Sequence, residues 1–289
     1  MIKSIIKKFN AYQSEPSLKN TGIYIYQMGK VGSLAVLAIL EKRKMNVYHE
    51  HNFTLTHSEA VGIVRNFDKY SSLKAKIKEQ RNKIFPSQRL REFKAKKRLK
   101  IITLIREPIS RNLSLCFQHF QDFIRDDVTN RNFNDHRSSF ELCSYYFENK
   151  INSTAGIKWF DSEFFPTTGI DIYNYPFDTR KGHSIINEGK YDILVLQVEK
   201  LNQSIDIIQS FLELKTPLQR KEVNIGNKKW YRLLYDEFIR KYTFSTDYID
   251  KMYNSKFMKH FYSEADINMF KEKWDIKKHS QFLLAELEK

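Results

Sequence analysis

The run Ile23-Tyr24-Ile25-Tyr26-Gln27-Met28-Gly29-Lys30-Val31-Gly32-Ser33 decides the fold class. Its first part is a β-type sequence of isoleucine and tyrosine. It breaks at a loop holding two glycines, a lysine and a serine, and a helical pattern follows. That order is strand, phosphate loop, helix. The glycines let the backbone approach an anion, and Lys30 adds a point charge. The N–H groups that open the next helix carry partial positive charge and have no internal partner. The loop is not a Walker A sequence, in which the lysine follows the second glycine of G-x-x-x-x-G-K-[ST]. Here Lys30 precedes Gly32, and two residues separate the glycines. Read alone, the loop is equally a plain turn between a strand and a helix.

With 289 residues, the chain is long enough for one large α/β domain or two small ones. Aromatics make up 14%, including 22 Phe and 16 Tyr, so a sizeable core is available despite 29% charged residues. Only 9 Gly and 6 Pro argue against a sandwich, a disordered chain or a fibre. Net charge is +15, and much of it sits in 71–100, where twelve Lys/Arg face two acids, Glu79 and Glu92. Such a field attracts anionic ligands, polymers or membrane surfaces, and it is equally what a solvated helix face looks like. Cys116 and Cys143 have no metal or redox spacing and read as core residues of a reducing compartment. Residues 1–9 lack a signal-peptide core, and no run reaches transmembrane length, which predicts a soluble, cytoplasmic protein.

Patterning predicts strands over 22–27, 45–51, 101–105 and 191–198. Helices are expected over 33–43, 58–70, 73–83, 109–126, 138–149 and 200–213, with several short ones after 228. Residues 152–189 read as irregular. Strands alternating with helices imply βαβ units and a central parallel sheet flanked by helices. The expected organisation is a single domain over 1–289: an α/β core (about 20–215), a basic helical insertion (71–100) and a helical C-terminal region (216–289). Ligands of such sheets sit at the carboxyl ends of the strands.

A second motif stands at one of those ends. Arg106-Glu107-Pro108-Ile109-Ser110-Arg111-Asn112-Leu113-Ser114 follows the strand 101–105 directly, with Pro108 placed for a first helical turn. Arginine offers a planar fork of donors suited to phosphate, and the Ser114 hydroxyl adds one more. No metal-ligand pattern lies near either loop. Together they point to a ligand with two separated phosphate-type groups, bound without obligatory Mg²⁺.

These residues resemble the sulfotransferases that use 3′-phosphoadenosine 5′-phosphosulfate (PAPS). Their first loop, roughly P/Q-x-x-K-x-G-[ST], is similar to Gln27–Ser33. Their second, R-x-P-x-x-R-x-x-S, is matched by Arg106, Pro108, Arg111 and Ser114. The resemblance implies a P-loop NTPase-like sulfotransferase fold. It also implies PAPS as donor, PAP as product, and no metal. The 5′-phosphosulfate site would be the loop Gly29, Lys30, Val31, Gly32, Ser33 and Leu34, chiefly Lys30 and the amides of Gly32 and Ser33. Arg106 and Ser114 would hold the 3′-phosphate, with Arg111 counted among the cofactor-binding residues. Leu34 departs from the family, where a second Ser/Thr is common. The remainder resembles bacterial capsular polysaccharide synthesis proteins through Gly156–Phe160, Gly169–Tyr173 and the run from Asn224 to Tyr235. That implies a saccharide acceptor, an anionic one being compatible with the basic segment, and no specific nucleic acid. Membrane contact would be peripheral.

Sulfuryl transfer needs a base for the acceptor hydroxyl and positive charge on the bridging oxygen. Lys30 suits the second role. For the first, the end of the second strand offers His51, then His49, then Glu50, with both histidines pointing one way and Glu50 the other. Each is equally a hydrogen-bonded strand-end residue. His119, on the helix after Arg106, reads as packed or as facing the acceptor. The cluster Lys221, Asn224, Gly226, Asn227, Lys228 and Lys229 is either a loop closing over the nucleotide or a helix entry, and Trp230 and Tyr231 read as core. Two other functions compete: a kinase-like phosphotransferase, for which only Glu199 follows a core strand as a metal-holding acid, and a non-enzymatic binder of nucleic acid or acidic polymer through 71–100.

Overall fold

The computed structural model describes residues 21–41, 45–64, 88–129, 138–215, 217–218 and 229–275. The helix expected over 73–83 and the residues 221–228 lie outside them. The architecture is mixed α/β, with a five-stranded, mostly parallel sheet among the described residues. The strands are β1 (Thr21–Tyr26), β2 (Val47–Glu50), β3 (Arg98–Ile105), β4 (His183–Glu188) and β5 (Tyr191–Gln197), in the order β2-β1-β3-β5-β4.

β1, β2, β3 and β5 are parallel, and β1 and β3 are almost wholly buried, as continuous apolar strands in such a sheet must be. From β1 the chain runs through helix α1 (Ser33–Glu41) to β2 on one side, and β3 then pairs with β1 on the other. The strand order therefore reverses between β1 and β3. The loops after these two strands flank the crevice where open α/β sheets place ligands.

Four expectations are corrected. The sheet is not wholly parallel: β4 runs antiparallel to β5, because the two-residue turn Gly189-Lys190, with Gly189 at φ 56°, closes a hairpin. The segment 152–189 is not irregular, holding helix α6 (Ala155–Trp159), a π-helical turn (Phe160–Phe164), helix α7 (Phe165–Thr168) and β4. Helix α2 (His57–Val61) ends early, since Gly62 at φ 81° donates back to Ser58 and Glu59 and caps it. β3 starts at Arg98, not 101. Its charged residues are accommodated because Arg98 reaches Asp192, while buried Lys100 donates to the Phe211 carbonyl and to Glu213 at 2.8 Å.

Helix α3 (88–95) precedes β3, and helix α4 (Pro108–Thr129) follows it. On one face of β1, Tyr24 and Tyr26 pack against Tyr48, Phe53, Phe93, Trp159 and Phe164. A second aromatic cluster joins α4 and helix α5 (Ser139–Asn149) to the C-terminal helices through Phe117, Phe147, Phe238 and Tyr248. Cys116 and Cys143 are free and buried, as expected. No helix among the described residues is long and apolar enough to cross a membrane.

Candidate functional site

Lys30 and Gly32 both occupy the left-handed region, at φ 71° and 79°. Turns built on left-handed residues form the concave backbone nests that hold anions. Gly32 is required there: besides its φ, an added Cβ would lie 2.7 Å from Val198 Cγ2. At the root of the loop the side-chain amide of Gln27 is fully buried, and neither of its polar atoms has a hydrogen-bond partner among the described residues. Val31 is buried and Ser33 is 7% exposed, while Leu34 on the first turn of α1 stands 62% exposed.

The arginine motif holds this loop. Arg106 Nη1 donates to the Lys30 carbonyl at 3.0 Å, and Arg111 Nε donates to the Gly29 carbonyl at 3.1 Å. Arg111 also donates to the Val61 carbonyl and, through Nη1, to Asn112 Oδ1 at 2.9 Å. Its stem passes Gly156, where an added Cβ would lie 3.2 Å from Arg111 Cδ. Arg111 is 1% exposed. Its guanidinium donates to two backbone carbonyls and to the Asn112 side chain, so it shapes the loop from beneath. Ser114, three residues on along α4, is half-buried.

The charges are unbalanced. Burial, with the nearby charges of Lys229 and Arg111, brings Lys30 down to about 8. Burial, together with Arg106, brings Arg111 down to about 10. No described carboxylate offsets either shift. Two buried cations with no offsetting carboxylate among the described residues stabilise an anion placed beside them.

The two histidines of β2 bracket the loop. His49 Nε2 lies 3.0 Å from Ser33 Oγ, and His51 Nδ1 lies 3.0 Å from the Gln27 carbonyl. That carbonyl only accepts, so Nδ1 carries the proton and Nε2 of His51 is the acceptor. The rings are 4.8 Å apart, as period-two alternation requires. Glu50 points elsewhere and pairs with Arg89 of α3. The ion pair holds its carboxylate on the side of β2 away from the two histidines, as alternation along the strand expects. His119 pairs with Asp122 on its own helix at 3.1 Å.

Burial is the main cause that lowers His51 to about 4, with His49, His57 and Lys30 adding to it. A histidine with a folded-state value below its ordinary 6.5 binds fewer protons in the native state than in the unfolded chain. Its contribution to stability is present above pH 6.5 and is lost as pH falls toward 4. It is worth up to about 3 kcal/mol. Urea midpoints should therefore fall across this window, and His51→Asn should flatten the slope.

Sequence reasoning missed several residues. Glu107 is buried and caps α4 itself, accepting from the N–H groups of Ile109 (2.7 Å) and Ser110 (2.8 Å) and from Tyr253 Oη (2.7 Å). The start of α4 is thus occupied by the protein's own carboxylate. Lys273, on helix 264–274, reaches Ser110 Oγ at 3.4 Å; burial lowers it, against the opposing charges of Glu107 and Glu199 and with that of Arg106. It lies 163 residues from Ser110, and no local pattern announces it. Of the late basic cluster, Lys229 is described and acts on Lys30 electrostatically. Tyr231 is core as expected, at 8% exposed. Trp230 is not, at 55%. Among the described residues no cluster of His, Cys, Asp or Glu has the make-up of a metal site.

Residues 133–263, a little under half of the chain, match the NKWYS family, described as "Putative capsular polysaccharide synthesis protein". The match spans α5 to the late helices and points to a glycan-related role. No curated protein and no solved structure gives a significant match.

Proposed function

We propose that the protein is a PAPS-dependent sulfotransferase acting on a hydroxyl of a saccharide. One observation carries the reading: Arg106 and Arg111 donate to the carbonyls of Lys30 and Gly29, joining the two motifs in one crevice where the charges of Lys30 and Arg111 have no carboxylate partner among the described residues. The family match supports the saccharide side of it.

In this reading the acceptor oxygen attacks sulfur as the bond from sulfur to the bridging oxygen breaks. The bridging oxygen leaves with the electron pair, and Lys30 meets the charge that develops there. His51 Nε2 takes the acceptor proton. His51 is preferred to His49, whose Nε2 is already at Ser33 Oγ. The negative charge of the bound nucleotide raises His51 from its low value toward the range a base needs. Arg106 and Ser114, with Lys273 nearby, serve the 3′-phosphate.

PAP should raise the melting temperature without Mg²⁺. At a hundredfold excess over Kd the gain is about 2.7 kcal/mol, or roughly 5–10 °C for a chain of this size. No shift with PAP but one with ATP–Mg²⁺ would favour the kinase reading. Against that reading, both oxygens of Glu199 are already taken, by the Glu107 N–H at 2.8 Å and Tyr262 Oη at 3.2 Å. In the described part of the basic segment, Arg89, Arg98 and Lys100 have carboxylate partners within the protein.

A further inference from the structure

Glu163 is fully buried and lies in the π-helical turn Phe160–Phe164 between α6 and α7. No lysine or arginine pairs with it among the described residues; hydrogen-bond donors meet its charge instead. Oε1 accepts from Tyr26 Oη at 2.7 Å and from the Phe53 N–H. Oε2 accepts from Thr54 Oγ1 and the Leu55 N–H, both at 2.7 Å, and the Thr54 N–H lies 3.2 Å from each oxygen. A single carboxylate thus gathers the backbone of 53–55, the loop that leaves β2 immediately after His51. One turn earlier, Trp159 Nε1 donates to the His51 carbonyl at 3.0 Å.

Trp159 and Glu163 are four residues apart and so face the same side of the helical segment. Both meet the loop after β2, and their bonds fix it at both ends. The donors leave no room for an amide: every group that meets Glu163 from 53–55 presents a hydrogen, and a glutamine would point its own N–H at some of them.

We propose that Glu163 is a positioning residue of this site: its carboxylate holds the 53–55 loop and, through it, keeps His51 Nδ1 on the Gln27 carbonyl, with Nε2 presented as the acceptor. The inference rests on the reading of His51 as the base. It assigns a task to a buried anion that contacts neither the glycine–lysine loop nor the arginine motif.

The test compares Glu163→Gln and Thr54→Val with the unaltered protein. The His51 imidazole titration is followed by NMR without nucleotide, and the pH–rate profile is taken with PAPS and a saccharide acceptor. Glu163→Gln should displace the His51 titration upward, move the acid limb of the profile with it, and lower kcat by about 10²-fold, the effect of misplacing a reacting group by about 1 Å. Thr54→Val loses one bond on an exposed residue and should move the same readouts in the same direction by less. The PAP-induced thermal shift should persist in both, since Arg106 and Arg111 hold the nucleotide loop. An unchanged His51 titration in folded Glu163→Gln overturns the proposal. If that variant does not fold, an unchanged titration in Thr54→Val does so. Failure of the unaltered protein to bind PAP overturns the sulfotransferase reading instead, and the titration measured without nucleotide still decides the role of Glu163.

Discussion

Lys30→Ala is expected to lower kcat by about 10²–10³-fold, the usual effect of removing one preorganised group that meets developing charge. The fold should survive the change. Lys30 already sits at φ 71°, so alanine inherits the backbone strain and adds none of its own. Stability should even rise. Displacement of Lys30 from 10.5 to about 8 corresponds to about 3 kcal/mol of unfavourable charge burial, caused first by desolvation and then by Lys229 and Arg111. The variant relieves that cost. A single-turnover assay beside a melting curve separates the effects. A slow, well-folded and slightly more stable protein is the expected result. An unchanged rate would remove Lys30 from the chemistry.

The second large effect belongs to Arg111→Met, and its signature is the reverse. Removing the guanidinium orphans the carbonyls of Gly29 and Val61 and the side-chain oxygen of Asn112, each at about 1–3 kcal/mol. Relief of one buried charge offsets part of this. A net loss of about 3 kcal/mol, or roughly 6–12 °C in melting temperature, is expected, together with loss of the PAP-induced shift as the loop relaxes. Arg111→Lys should not rescue it, because an ammonium cannot reproduce the planar fork. Arg106→Ala, at a half-buried position with one bond to the Lys30 carbonyl, should weaken PAP binding with a smaller loss of stability. If Arg111 instead loses binding without losing stability, it touches the ligand and the assignment made from its burial is wrong.

The contrast between these arginines shows how far the sequence could be read. Spacing placed both at the end of one strand and the start of one helix, and the structure agrees. Spacing cannot tell which of two arginines faces a crevice and which is swallowed by the fold. That depends on Gly156, which leaves space for the Arg111 stem and comes from a segment read as irregular chain. Glu50 teaches the same lesson. Alternation correctly put it opposite His49 and His51, yet its partner Arg89 lies in a segment read only as bulk charge.

By itself, the amino-acid sequence determined the strands β1, β2, β3 and β5, the position of both loops at their carboxyl ends, and the pairing of His49 with His51. These follow from local rules: period-two alternation, short apolar runs, glycines between a strand and a helix. Tertiary structure alone decided that the loops share one crevice between β1 and β3, that Arg111 is buried against the carbonyls of Gly29 and Val61, and that Lys229 comes near Lys30 while Lys273 comes near Arg106. It alone brought Glu163 to the loop after His51. The reason is one of range. A hydrogen bond or an uncompensated charge is settled by what lies within a few ångströms in space, and for Tyr26 and Glu163 that neighbour is 137 residues away along the chain.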